Sequence, residues 1–242
     1  DQGEALDKLE TGTDLAVLKT GDESVYRYDQ MGTHSYENSS MQTGTNSTSY
    51  YFSVASGDIT NFFNEVDLNT PWDYHYENLD SRTILDRLAA VKYFVVKAGE
   101  EEYLPYGYDT LAAEAEKKDR LYRAYECKNA LPIGYTYDSY IPEKKYAKMS
   151  TVEKQQALLQ GVVLADSAVP ETTPEFNDRE VPYKLVTGSG CREKDGKLII
   201  TKENAQAKLV FDGLDECETY LITEGVDYEA LSPRELNSDK KW

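Results

Sequence analysis

The hydrophobic period changes partway along Leu79–Val96, and the rest of the chain can be organised around that change. Ile84, Leu85, Leu88 and Ala89 recur at helical spacing and fall on one face. Asp80 or Ser81 carries an oxygen that can accept the free amide protons of a first turn, so the helix is expected to start there. Tyr93-Phe94-Val95-Val96 is β-branched and aromatic and too short for a helix, which predicts a buried strand. A helix that runs almost without a turn into an apolar strand must lie against the sheet that strand enters.

Upstream, residues 1–21 are polar with scattered leucines and read as a lead-in from a preceding segment. Val25–Tyr28 alternates and predicts a strand, followed by a polar loop over Asp29–Thr48. Tyr50–Val54 reads as a strand or a packed aromatic knot. Asp58 is the expected cap of a helix bearing Ile59, Phe62, Phe63 and Val66 on one side, and an aromatic turn spans Pro71–Tyr76. Downstream, Asp109–Lys118 has helix formers but a weak apolar face, which predicts a loose surface helix. Leu121–Tyr125 and Tyr135–Ile141 have strand patterning. Ser150-Thr-Val-Glu153 is a capping box, predicting a helix with Val152, Ala157, Leu158, Leu159, Val162 and Val163 that ends near Asp166.

Proline, threonine and glutamate concentrate in 168–178, the expected linker. Beyond it the pattern predicts strands at Tyr183–Val186, Lys197–Thr201, Ala207–Phe211 and Thr219–Thr223, with turns at Lys194–Gly196 and Asp212–Gly213. The expected fold is therefore α+β: a mixed sheet with packed helices over 22–167, then a partial β-sandwich over 179–242.

Charge narrows the function. The 44 Asp and Glu against 26 Lys and Arg give a net −18 over 242 residues, which leaves no basic footprint for nucleic acid or for an anionic membrane surface. The 20 tyrosines against 6 phenylalanines suit half-wet sheet faces and contact surfaces. The 3 cysteines show no zinc spacing; free thiols are expected, with a Cys191–Cys217 bridge as the alternative. No window approaches the ~18 apolar residues a bilayer span requires, and no basic-then-apolar leader is present.

Several features have two readings. The polar loop from Asn38 to Tyr51, with its pair Tyr50 and Tyr51, offers amide and hydroxyl groups for saccharide hydroxyls and rings for the sugar face; otherwise it is a surface loop whose Tyr50, Tyr51 and Phe52 plug into the core. Trp72, Tyr74 and Tyr76 form either a stacking platform or a cap over the sheet end. Arg82 and Asp86, four apart, are expected to form a helix-surface ion pair. His34 and His75 have no partner at catalytic or metal spacing, and Gly188-Ser-Gly-Cys191 is a turn rather than a phosphate cradle. No catalytic residue, metal or cofactor is expected.

Val25-Tyr-Arg-Tyr-Asp29, Asn38-Ser-Ser40, Ser49-Tyr-Tyr-Phe-Ser53 and Leu79-Asp-x-Arg-Thr-Ile-Leu…Val-Lys-Tyr93 together resemble the extracytoplasmic part of the YfhO family of bacterial membrane proteins. Asn129-Ala-Leu-Pro-Ile-Gly-Tyr-Thr-Tyr-Asp138 and Ser150…Glu-Lys-Gln-x-Ala-Leu-Leu-Gln160 extend the resemblance to about residues 20–165. It implies a polytopic protein similar to lipid-linked-sugar glycosyltransferases, tied to decorating cell-surface polymers such as lipoteichoic acid. This chain would then be an outer domain partnered by its own transmembrane region and by a glycan or lipid-linked sugar. The acidic residue expected to act in such enzymes has no match here, so the chain itself is expected to be inert. The alternatives are a carbohydrate-binding or scaffolding module, and a secreted glycosidase with two carboxylates facing across a cleft.

Overall fold

The structure is a computed structural model, and it describes residues 20–30, 38, 40, 45–68, 75–76, 78–117 and 119–223. These fall into two compact units that part between Phe176 and Asn177. In chain order the first unit contains β1 (Arg27–Gln30), β2 (Tyr50–Tyr51), α1 (Gly57–Glu65), β3 (His75–Tyr76), α2 (Thr83–Leu88), β4 (Val91–Lys97), β5 (Thr110–Lys117), β6 (Arg120–Glu126), β7 (Tyr140–Pro142), α3 (Glu143–Tyr146), α4 (Thr151–Ala157) and β8 (Val162–Leu164). The expected α+β class is what forms.

The main sheet runs β1-β4-β6-β5, with β4 parallel to β1 and antiparallel to β6. Strand alternation sorts the apolar residues of β4 to two sides. Tyr93 and Val95 join Tyr28, Tyr122 and Ala124. Phe94 and Val96 join Val91, Tyr108 and Cys127. Helix α2 lies against β4 as its direct connection requires. Its Leu85 is buried with Phe63, Val66, Leu68, Tyr76 and Leu79. The link is made by Ala90, at φ +59, a conformation costly for a residue with a Cβ. Its carbonyl accepts the amide of Arg27, which sets β1 beside β4.

The helix starts differ from expectation. Arg82, not Asp80 or Ser81, occupies the N-cap of α2 and makes no side-chain cap bond. Asp80 and Ser81 both have positive φ and form the preceding turn, where the Ser81 amide donates to Asn78 Oδ1 at 3.2 Å. Ser56, not Asp58, is the N-cap of α1, and Asp58 sits in its first turn, favourable to the helix dipole. Phe63 and Val66 of the expected face are buried, while Ile59 and Phe62 are exposed.

The surface helix expected over Asp109–Lys118 is instead strand β5. Long-range pairing with β6 overrides the helix propensity of Ala and Glu. Ala113 and Ala115 pack toward the core, and Asp119 at φ +62 turns the chain into β6. Tyr135–Ile141 is strand only from Tyr140. Earlier in that stretch, the Tyr135 and Tyr137 hydroxyls donate to the carbonyls of Leu88 and Leu158. Those carbonyls lie at the C-terminal ends of α2 and α4, where helices lack internal donors.

The capping box forms as read: Glu153 N–H donates to Ser150 Oγ at 3.2 Å, and Ser150 N–H donates to Glu153 Oε2 at 2.7 Å. The helix stops at Ala157 rather than near Asp166, because Val162–Leu164 leaves it to pair in parallel with β7. Gly161 makes that turn against Ile141 and Thr172. Residues beyond β8 stay attached to this unit: Thr172 N–H donates to Tyr140 O, and Gln160 holds both N–H and C=O of Glu175.

The second unit contains β9 (Tyr183–Thr187), β10 (Cys191–Lys194), β11 (Lys197–Ile200) and β12 (Ala207–Phe211). β9 pairs with β12 and β10 with β11, all antiparallel. Asp195 and Gly196, both at positive φ, close the β10–β11 hairpin where the turn was expected. Thr219–Thr223, expected as a strand, enters no ladder. All three cysteines are free.

Candidate functional site

The best-built polar feature starts at Asp29. It stands on β1, fully buried, on the sheet side shared with Phe94. Its Oδ1 accepts Ser47 Oγ–H at 2.9 Å and Thr48 N–H at 3.0 Å, and its Oδ2 accepts the Thr48 hydroxyl. Ser47 Oγ in turn accepts Ser49 N–H at 3.0 Å. Tyr28 N–H donates to Asn46 O, so residues 46–49 lie along the outer edge of β1. Burial pushes the Asp29 carboxyl up to about 6, while hydrogen bonds from Thr48 and Ser47 oppose the rise.

This anchored loop delivers the chain to β2, which pairs with β3 as Tyr50↔Tyr76 and Tyr51↔His75. On its other side, Asn38 clasps Tyr51 in place of a strand: its Nδ2 donates to Tyr51 O at 2.9 Å, and its Oδ1 accepts Tyr51 N–H at 3.0 Å. The rings then form a connected series. Tyr76 meets Phe63 at 4.4 Å and Tyr50 at 4.9 Å, Tyr50 meets Phe52 at 6.1 Å, and Phe63 meets Phe62 at 5.8 Å. Tyr76 and Phe63 are buried at the centre of that series, and Phe52 and Phe62 are exposed at its ends. Tyr51, 48% exposed, stands edge-on to the His75 ring. Burial, reinforced by Tyr76, pushes the Tyr50 hydroxyl up to about 12, so it stays a neutral donor.

No Lys, Arg or His lies between Thr45 and Leu68, whereas Asp58, Glu65 and Asp67 do. The cations that reach this segment lie at the end of α1, Lys154 paired with Glu65 at 2.8 Å and buried Arg82 on Val66 O, so its aromatic faces and hydroxyls carry no positive charge of their own. Such a surface suits C–H faces of a neutral ring and disfavours phosphate.

Of the residues singled out from sequence, Tyr50, Tyr51 and Tyr76 come together on β2–β3, and Asn38 joins them through its clasp on Tyr51. Trp72, Tyr74 and His34 lie outside the described residues. Sequence reading missed Asp29, which it placed at the start of the polar loop, whereas β1 runs through it to Gln30. Arg82 was read as pairing with Asp86 on a helix surface. It is buried instead, donating to Val66 O at 2.8 Å and pairing with Asp80 at 3.4 Å, which ties the end of α1 to the start of α2. Among the described residues no group of three or more His, Cys, Asp or Glu could hold a metal ion, and no helix is long and apolar enough to cross a membrane.

No solved structure matches the chain. Among curated proteins, it is 29% identical over 197 residues to the "Uncharacterized protein YfhO" of Bacillus subtilis (strain 168), a match covering 78% of this chain and 22% of that protein. The chain thus spans less than a quarter of that relative's length. Residues 2–224 match the family described as "Bacterial membrane protein YfhO", and the chain belongs to that family.

Proposed function

We propose that this chain is an extracytoplasmic domain of a YfhO-type membrane protein that helps transfer sugar from a lipid-linked donor to a cell-surface polymer such as lipoteichoic acid. It contributes contact surface rather than chemistry. The observation that carries this reading is the ring series that runs from exposed Phe52 through half-buried Tyr50 and buried Tyr76 and Phe63 to exposed Phe62, with exposed Tyr51 edge-on to His75 on the other face of β2. Sugar rings pack on such faces through their C–H bonds, and the hydroxyl of exposed Tyr51 can orient them. The net charge of −18 repels a phosphate backbone, so contact is made to the neutral sugar. The transferase chemistry then belongs to the parent protein's membrane region, and the domain's role is to hold one reactant.

Titration of the chain with neutral oligosaccharides, followed by ring-proton NMR, tests the contact. Shifts at Tyr51 and Phe52, lost in Phe52→Ala, are expected. Saturable binding that leaves those rings unmoved refutes the assignment.

A further inference from the structure

None of the described residues of the second unit is buried, and one face of its larger ladder is more apolar than the other. Tyr183 pairs with Phe211, Leu185 with Leu209 and Thr187 with Ala207, and these six residues share one face. The opposite face alternates Lys184 and Lys208 with Val210 and Val186. On the apolar face Tyr183 is 67% exposed and Phe211 45%, with Leu185 and Leu209 half-buried between them. A two-stranded ladder is marginal in water at best, and β10 and β11 intervene between these two strands, so no short turn holds them together. A ladder with this patterning needs a partner layer on its apolar side.

The geometry points to a second β-sheet, contributed in cis by the remainder of the family polypeptide, packed face to face on Tyr183, Leu185, Leu209 and Phe211 to complete a sandwich. Pleated alternation of the apolar positions matches a stacked sheet about 10 Å away. The cis source follows from size. Five-residue strands span about 17 Å and two strands about 10 Å, a footprint far below the roughly 800 Å² per partner of a specific dimer. So small a face is insufficient to hold a second copy, but intramolecular packing avoids most of the association cost. Polypeptide to supply the sheet exists in the family, because the B. subtilis relative has 78% of its length outside the matched region. The apolar face carries no cation, which disfavours an anionic lipid surface as the occupant.

Thiol labelling tests this in the natural full-length gene product in membranes, with Cys191→Ser and Cys217→Ser removing the more accessible native thiols. Tyr183→Cys reports the apolar face and Val186→Cys the opposite one. In residues 1–242 alone, Tyr183→Cys should label at least as fast as Val186→Cys at every protein concentration. In the full-length protein it should label at least about tenfold slower. Equal rates in the full-length protein overturn the proposal. So does protection of Tyr183→Cys already in residues 1–242: if it depends on concentration the cover is a second copy, and if not it comes from within this chain.

Discussion

Replacing Asp29 by Asn should remove a specific pH dependence of stability. Asp29 is completely buried, and its carboxyl lies at about 6 rather than the ordinary 3.8, chiefly because burial disfavours the charged form. The unfolded chain therefore ionises this group first. Below 3.8 both states keep the proton and Asp29 adds no pH dependence. As the pH rises from 3.8 toward 6 the folded state loses stability, and above 6 the loss is complete. At about 1.36 kcal/mol per pH unit, the gap amounts to about 3 kcal/mol. An Asn in the same rotamer keeps an oxygen for Ser47 Oγ–H and Thr48 N–H, and its amide can donate to the Thr48 hydroxyl once that hydroxyl turns. Urea unfolding followed by far-ultraviolet circular dichroism at pH 4 and pH 7.5 measures both proteins. The difference between variant and wild type should grow in the variant's favour by about 2–3 kcal/mol from the lower pH to the higher. Asp22 does not interfere: Lys92 holds its carboxyl well below the usual range, so it titrates in stronger acid. A difference that stays flat across that interval, or shrinks, refutes the reasoning.

Other substitutions probe separate parts of the fold. Phe94→Ala empties a fully buried site on the central strand against Tyr108 and should cost about 3–5 kcal/mol in the same unfolding assay. Ser150→Ala removes one half of the capping box and should cost about 1 kcal/mol, seen as faster amide exchange in the first turn of α4. Gly161→Ala places a methyl 3.0 Å from Thr172 Cγ2 and 3.1 Å from Ile141 Cγ1, and should lower the urea midpoint by an amount equivalent to about 1–3 kcal/mol.

What the sequence made legible was mostly local. The change of period inside Leu79–Val96 placed α2 and β4 correctly, because both signals lie within one short window and agree with the burial that results. Ser150 and Glu153 likewise named their own partners. The failures came where a distant element decides. Asp109–Lys118 has the residues of a helix, and only its pairing with β6 makes it a strand. Val162 and Val163 continue a helical spacing, but β7 draws them into a ladder. The candidate surface was half legible. Tyr50, Tyr51 and Tyr76 could be named from the aromatic runs, but that β2 and β3 pair could not. Asp29 was invisible as an anchor, because its donors lie 18 and 19 residues away on a loop with no regular pattern.

The central proposal is that Tyr51 and Phe52 contact the sugar transferred by the full-length protein. Membrane vesicles carrying the full-length protein, given a labelled lipid-linked sugar, measure incorporation into polymer. Wild-type vesicles should incorporate label, and the Tyr51→Ala, Phe52→Ala double variant, at equal protein level, should lose at least about tenfold, equivalent to about 1.4 kcal/mol of contact. Residues 1–242 by themselves should incorporate none. Undiminished incorporation by the double variant, or sugar transfer or release by residues 1–242 alone, would contradict the account.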